Sequence, residues 1–128
     1  MTRSLSMLFA LLAFLTPAYA QEKKAQADFT SPEAVVKTMI AAIDARDADL
    51  LSKCFSSEAK GEFTALREKR VSESDWVEMK RMFDGALVGE TFLRPDDPNR
   101  AVVSVQLKSR AERISVVKEG RGWGIVGF

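Results

Sequence analysis

Of the side chains best suited to nucleophilic chemistry, this sequence has a single cysteine, Cys54. It has no histidine. A reactive thiolate needs a nearby cation or imidazole that lowers its pKa, and no imidazole is available for that role. Leu51 and Phe55 lie beside Cys54 in a segment with helical spacing of its apolar residues. We therefore expect Cys54 to be a small buried hydrophobic residue rather than a nucleophile or an intermolecular bridge.

Three aspartates, Asp44, Asp47 and Asp49, are the candidates for a cation site. A calcium loop of the EF-hand type needs a longer alternation of oxygen ligands that ends in a glutamate, and no such alternation follows them. Asp47 is predicted to cap a helix, and the other two to face solvent. A pair of carboxylates can perform acid–base catalysis. Such pairs are little evidence for an enzyme here, because 18 acidic residues form many pairs by chance. The sequence predicts no metal, no cofactor and no catalytic residue.

The two tryptophans are candidates for stacking on a planar ligand. Trp123 lies in a predicted strand with Ile125, and we assign it to the core. Trp76 shares helical spacing with Met79 and Phe83 but lies near the start of a predicted helix. Trp76 is therefore retained as a residue that binds a ligand or a partner, with a core position as the alternative.

A basic group near the C-terminus is the other candidate ligand site. Its members lie on neighbouring strands of predicted hairpins: Lys108, Arg110, Arg113 and Arg121. Such cations can hold an anionic ligand or the acidic face of a partner, and Arg110 and Arg113 are retained for that role. The alternative is a solvated strand face, on which Glu112 and Glu119 neutralise the basic side chains.

Apolar residues at helical spacing predict four helical segments in the first part of the domain. Pro32 fits the first turn of the first helix, Gly61 weakens the third segment, and Asp84 with Gly85 ends the fourth. The predicted starts are, in order, Thr30 or Ser31, Asp47, Ser56 with Ser57, and Ser72 or Ser74.

From Ala86 onwards the apolar period is two, which is typical of β-strands. The clearest strand alternates from Ala101 to Lys108, after a turn cluster at Pro95–Asn99. Ser109–Arg110 reverses the chain, and Glu119–Gly122 forms the last hairpin turn, where glycine allows a positive φ. Helices followed by an antiparallel sheet predict an α+β fold, with the helices packed on a curved sheet of about four strands.

The N-terminal residues 1–20 have the pattern of an export signal. Arg3 precedes an apolar run from Leu5 to Leu15, and small residues at Ala18 and Ala20 suit signal peptidase. Cleavage is expected between Ala20 and Gln21. Because the run is shorter than the roughly 20 residues of a transmembrane helix, we predict a removed signal and a periplasmic or secreted protein.

The chain after the predicted signal is electrically neutral. Arg3 is the only charged residue of the signal, so 18 basic and 18 acidic residues follow it. A neutral balance gives no general attraction to nucleic acid or to an anionic membrane. We expect a flexible lead over residues 21–29 and a single domain over residues 30–128, with neither nucleic acid nor membrane as a partner.

The two ends of the domain carry features of a known superfamily. Ser31–Glu33 opens a long helix that runs through Ala41–Ile43 into Asp47, and a closing hairpin extends from Ile114 to Ile125. In these features the chain resembles the nuclear transport factor 2-like, or cystatin-like, superfamily. Within it, the chain is similar to small exported bacterial domains of unknown function with a lumazine-binding-like label. The resemblance covers residues 30–128 and implies a cone, in which a curved sheet wraps the first helix, often around a cavity.

Catalytic members of this superfamily use histidine, tyrosine and aspartate in the cavity. The chain has no histidine and its single tyrosine is Tyr19, inside the predicted signal, so those activities do not carry over. Many relatives also have a lipid-attachment cysteine, and none follows this signal. We expect a non-catalytic binding or accessory domain that holds a small apolar ligand or a protein partner. The alternatives are a hydrolase, isomerase or dehydratase that uses carboxylates, and a structural module that forms a homodimer through its sheet, as superfamily members often do.

Overall fold

The computed structural model describes residues 26–128, so the predicted signal at residues 1–20 lies outside the described residues. Within the described part, four helices precede four strands, which confirms the α+β prediction. The helices are α1 (Pro32–Ala45), α2 (Ala48–Lys53), α3 (Phe63–Arg67) and α4 (Glu73–Phe83). The strands are β1 (Leu87–Arg94), β2 (Asp97–Gln106), β3 (Ala111–Glu119) and β4 (Gly122–Gly127). None of the helices between residues 26 and 128 has the length and hydropathy that crossing a bilayer requires.

The strands form one antiparallel sheet in the order β1–β2–β3–β4, in which each strand pairs with the next. Val103 lies opposite Ile114, and Val116 lies opposite Ile125, and all four side chains are buried. Register shifts interrupt the β1–β2 and β3–β4 ladders, and bulges of this kind increase the local twist and bend a sheet. The sheet is therefore curved and open, with β1 and β4 as its two edges.

Helix α1 packs against all four strands of the sheet. Its apolar stripe of Val35, Val36 and Met39 is fully buried, because residues three and four apart lie on one face of a helix. Burying each of these side chains contributes roughly 1.5–3 kcal/mol to the stability of the fold. The contact between α1 and the sheet therefore supplies much of the core.

Three of the four predicted helix starts are confirmed. Ser31, Asp47 and Ser72 each accept a hydrogen bond from a backbone N–H in the first turn of their helix. The third prediction is wrong, because Ser56 and Ser57 are followed by turns rather than by a helix. Gly61 has a φ of +65°, which is incompatible with a right-handed helix, so α3 is short and begins after it.

The turn between β1 and β2 is tighter than predicted. The sequence predicted a turn cluster over Pro95–Asn99, whereas the structure turns at Pro95 and Asp96 and includes Pro98 and Asn99 in β2. Proline has no N–H to donate to a ladder and is accommodated in a strand at an irregularity. The β1–β2 register shifts next to Leu93, which leaves room for Pro98.

The residues immediately before α1 are joined to the domain. Thr38 Oγ1 donates to the carbonyl oxygen of Asp28 at 3.0 Å and accepts from the backbone N–H of Asp28 at 3.2 Å. The backbone N–H of Trp123 donates to the carbonyl oxygen of Phe29 at 2.9 Å. Asp28 and Phe29, which we predicted to belong to a flexible lead, are therefore part of the folded domain.

Candidate functional site

A surface groove of about 450 Å³ opens between α3, α4, the β2–β3 turn and Phe128. We call it the apolar groove. Its walls carry large apolar side chains, from Phe63, Leu66, Met79, Met82, Phe83, Leu107 and Phe128. Its rim carries polar and charged side chains, from Glu62, Glu78, Arg81, Lys108, Ser109 and Arg110. An apolar concavity of this size with a few polar groups is typical of small-molecule sites.

Three phenylalanine rings are in contact along the wall of the apolar groove. The ring centroid of Phe128 lies 5.1 Å from that of Phe63 and 5.7 Å from that of Phe83, with interplanar angles of 59° and 87°. Phe55 stacks against Phe63 with 5.7 Å between centroids. Tilted and edge-on contacts add about 0.5–1.5 kcal/mol per pair beyond burial. The groove is therefore lined by rings that hold one another in place.

The two helices that form the groove are fixed by polar contacts. Helix α3 is too short to be stable alone, and Arg67 Nη1 anchors it by donating to the carbonyl oxygens of Ser57 at 3.1 Å and Ala59 at 2.9 Å. Helix α4 begins with a reciprocal cap between Ser72 and Asp75. The backbone N–H and then the hydroxyl of Ser72 hold the pKa of Asp75 below its usual value. These contacts set the positions of the groove walls.

The rim of the groove presents charges of both signs. Lys108 Nζ lies 2.7 Å from Asp84 Oδ2, and this contact lowers the pKa of Asp84. Arg110 Nε lies 3.1 Å from Glu112 Oε2. Exposed ion pairs contribute little to stability because water screens them. With Glu62 also on the rim, charge selects no single class of ligand, and the apolar walls are the distinctive part of the site.

The structure separates the three predicted ligand residues. Arg110 lies on the rim of the groove. Arg113 is exposed on β3 opposite Ser104 and does not line the groove. Trp76 is only 8% exposed and packs in the hydrophobic core, which is the alternative stated for it above. Of the three, Arg110 alone is placed at the groove.

Sequence reasoning did not identify Met82 and Phe128 as groove residues. Their side chains are 39% and 37% exposed, respectively. For Met82 a signal existed, because it follows Met79 by three residues and such residues are neighbours on a helix. For Phe128 there was none, since its place depends on where β4 ends relative to α3 and α4.

A second hollow of about 560 Å³ lies between α1, α4 and the start of β1. Among the described residues that line it, Phe83 supplies the only aromatic ring. Its remaining lining is partly charged, from Lys37, Asp44, Lys80 and Asp84. The hollow is larger than the apolar groove and has a similar share of charged residues, but it lacks the three phenylalanine rings and two methionines that line the groove.

Cys54 is fully buried, as predicted. Its Sγ lies 3.4 Å from the carbonyl oxygen of Leu50 and donates to it. Burial raises the pKa of the Cys54 thiol to about 12. Because the thiolate is the nucleophilic form, Cys54 is inert near neutral pH.

We expect the thiol of native Cys54 to react with an aromatic disulfide reagent far more slowly than the unfolded thiol. The pKa rises from the usual 9.0 to about 12, which lowers the thiolate fraction roughly a thousandfold near neutral pH. The measurement is the labelling rate in buffer, with the same protein in concentrated guanidinium chloride as the control. Equal rates in the two solutions would show that Cys54 is accessible.

The acidic cluster has partners within the fold. Asp47 caps α2 by accepting from the N–H of Leu50 at 3.1 Å. Asp49 lies 2.6 Å from Lys69 Nζ and 3.3 Å from Lys53 Nζ. The hydrogen bonds from Lys69 and then from Lys53 lower the pKa of the Asp49 carboxyl. Capping and ion pairing therefore account for these two carboxylates.

Comparison with protein-family models, with curated proteins and with solved structures finds no match for this chain. The resemblance to the nuclear transport factor 2-like superfamily therefore stays a prediction. The function has to be argued from the chemistry of the apolar groove.

Proposed function

We propose that this protein is an exported, non-catalytic binding domain that holds a small apolar ligand in the apolar groove. The observation that carries the proposal is a groove of about 450 Å³ with three phenylalanine rings and two methionines in its walls. The export part rests on the signal pattern of residues 1–20, which predicts a periplasmic or secreted protein. A protein partner in the same groove is the alternative occupant.

The size of the groove indicates the size of the ligand. A volume of about 450 Å³ equals that of roughly 15 water molecules in the liquid. A ligand with on the order of 15 non-hydrogen atoms therefore fits. Met79 and Met82 lie on the wall, and their flexible thioethers adapt to ligands of different shape. We assign the ligand to the class of medium-chain aliphatic or small aromatic molecules.

The architecture supports the proposed superfamily membership. Helix α1 lies across a curved antiparallel sheet, which is the arrangement that the nuclear transport factor 2-like cone requires. The groove lies between α3, α4 and the β2–β3 turn rather than between α1 and the sheet, where Met39 and Val103 fill the interior. The proposed site is therefore at the side of the domain rather than in a central cavity.

No carboxyl group with a resolved pKa shift in residues 26–128 has the raised pKa expected of a catalytic acid, which supports binding over the enzymatic alternative. A catalytic acid in a cavity typically has a raised pKa, because burial disfavours its charged form. Within residues 26–128, each carboxyl group with a resolved shift has a lowered pKa, as for Glu33, Asp84 and Glu119. The main cause is a hydrogen bond, from Thr91 to Glu33, from Lys108 to Asp84 and from Ser56 to Glu119. These carboxylates therefore stay ionised as acceptors rather than acting as proton donors.

We expect decanol, used as the probe, to bind the protein and Met82→Gln to weaken its binding about tenfold. When the alkyl chain enters, the glutamine amide in the groove wall loses its hydrogen-bonded water and gains no other hydrogen-bond partner. This loss costs about 1–2 kcal/mol. Isothermal titration calorimetry measures the dissociation constant. Val77→Gln is the matched control, because Val77 is on the same helix and 41% exposed, against 39% for Met82, but does not line the groove. Absence of binding, or equal weakening by both substitutions, would contradict the proposal.

A further inference from the structure

The sulfur-containing side chains of the described chain divide into two that are buried and two that line the apolar groove. Within residues 26–128 they are Cys54, Met39, Met79 and Met82. Cys54 and Met39 are both 0% exposed. Met79 is half-buried and Met82 is 39% exposed, and both line the groove. In the part of the chain that the structure describes, each sulfur-containing side chain that solvent reaches therefore belongs to the groove.

The two groove methionines do not compete with Cys54 for an oxidant. A thiol reacts with a peroxide as its thiolate, and burial raises the pKa of Cys54 to about 12. A thioether has no proton to lose, so its rate of oxidation depends on the access of the oxidant to the sulfur. The exposures predict that Met82 is oxidised first, Met79 more slowly, and Met39 only when the fold opens.

We infer that Met82 is an oxidation site and that its sulfoxide closes the apolar groove to apolar ligands. The inference rests on the proposed function, because it concerns the same groove. The oxidant is a peroxide, and hydrogen peroxide is the simplest one. The Met82 sulfur attacks one peroxide oxygen, so that an S–O bond forms and the O–O bond breaks. The other oxygen leaves as hydroxide and takes up the proton of the transferred oxygen, which gives water. The sulfur loses two electrons and the peroxide gains them.

The sulfoxide makes one position of the groove wall polar. Its oxygen accepts hydrogen bonds from water when the groove is empty. An alkyl chain that enters the groove displaces this water, and the apolar side chains of the wall carry no N–H or O–H that replaces it. Oxidation of Met82 therefore weakens binding for the same reason as Met82→Gln. Because methionine sulfoxide reductases reverse the reaction, the change can switch binding off and on again.

Oxidation of Met79 has a different consequence from oxidation of Met82. Met79 is half-buried and packs against the hydrophobic core. A polar sulfoxide at this position disrupts apolar packing, so it lowers the stability of the fold. Met82, by contrast, is exposed near the end of α4. Oxidation of Met82 alone therefore alters binding and leaves the domain folded.

Peptide mass spectrometry after brief treatment with hydrogen peroxide measures the order of oxidation. Trypsin cleaves after Lys80 and Arg81, so Met79 and Met82 fall in separate peptides. We expect Met82 to gain one oxygen at least about fivefold faster than Met79. Met39 is the internal control and is expected to stay unmodified while circular dichroism shows the native fold. An unmodified Met82, or faster oxidation of Met79, would overturn the inference.

Isothermal titration calorimetry with decanol tests whether oxidation closes the groove. Oxidation of Met82 is expected to raise the dissociation constant about tenfold. Treatment with methionine sulfoxide reductases A and B, with dithiothreitol as the reductant, is expected to restore it to within about twofold.

Met82→Leu is the matched control for this titration, because leucine has no sulfur to oxidise. Its affinity after peroxide is compared with its own affinity before peroxide, and the two are expected to agree within about twofold. Failure of decanol to bind the untreated protein would contradict the proposed function and this inference together. Unchanged affinity once Met82 is oxidised, or an equal loss in Met82→Leu, would overturn this inference alone.

Discussion

Replacement of Gly122 by alanine is expected to lower the free energy of unfolding by about 3 kcal/mol or more. Gly122 has a φ of +127°, a conformation that residues with a Cβ rarely adopt. An added Cβ would also overlap the carbonyl oxygen of Phe29 and lie 2.9 Å from the Phe29 Cβ. The same carbonyl accepts a hydrogen bond from the N–H of Trp123. Moving Phe29 away from the added Cβ therefore breaks the hydrogen bond that joins the segment before α1 to β4.

Urea denaturation of the purified protein measures this effect. Gly120→Ala is the matched control, since it lies in the same hairpin turn and a Cβ there meets no heavy atom within 4 Å. Unlike Gly122, Gly120 does not have a positive φ. The control should change stability by no more than about 0.5 kcal/mol. Equal midpoints for the two variants would show that the contact between Phe29 and the β3–β4 turn is not part of the fold.

Replacement of Trp123 by alanine is expected to cost about 3–5 kcal/mol of stability. Trp123 is 9% exposed and belongs to the continuous core, so its removal leaves a cavity that the neighbouring side chains cannot fill. For a domain of this size the melting temperature should fall by more than about 10 °C. Differential scanning calorimetry provides the measurement.

The control for Trp123→Ala is Val77→Ala, at a position that is 41% exposed on α4. This substitution should shift stability by less than about 0.5 kcal/mol. If Trp123→Ala melted within a degree or two of the unmodified protein, the indole would not be a core element. The assignment of Trp123 to the core, rather than to ligand binding, would then need revision.

The parts of the fold that local chemistry determines were predictable from the sequence. Ser31, Asp47 and Ser72 cap their helices because a short polar side chain reaches an N–H one turn later. The strand residues from Ala101 to Gln106 were predictable because alternate apolar residues define one buried face, although β2 ends at Gln106 rather than at Lys108. The glycine turn at Gly122 followed from its permissive backbone.

The predictions that failed concern contacts between residues distant in sequence, or a backbone conformation that is incompatible with a helix. The third segment looked helical from Ala59, Phe63 and Leu66, but the positive φ of Gly61 ends any helix before it. Phe29 belonged to a polar stretch with no periodicity, yet its carbonyl oxygen is bound by Trp123 from the opposite end of the chain. One sequence contains no periodic signal for such a contact.

The candidate site was the least predictable part. Arg110 was singled out for its charge and does lie on the groove rim, whereas Arg113 was singled out for the same reason and points elsewhere. The rings of Phe63 and Phe83 come from two helices, and that of Phe128 from the residue after the last strand. Their meeting is a consequence of packing, so the aromatic wall became visible only in three dimensions.

The most direct test of ligand binding in the apolar groove is a methyl NMR titration of the protein with decanol. Among the described residues, Met79 and Met82 line the groove, whereas Met39 lies on the face of α1 that packs on the sheet and is fully buried. With methionine methyl groups labelled with carbon-13, saturable shifts are expected for Met79 and Met82, and no shift for Met39. Unchanged Met79 and Met82 resonances at a decanol concentration that shifts Met39, or no saturable shift at any of the three, would contradict the account.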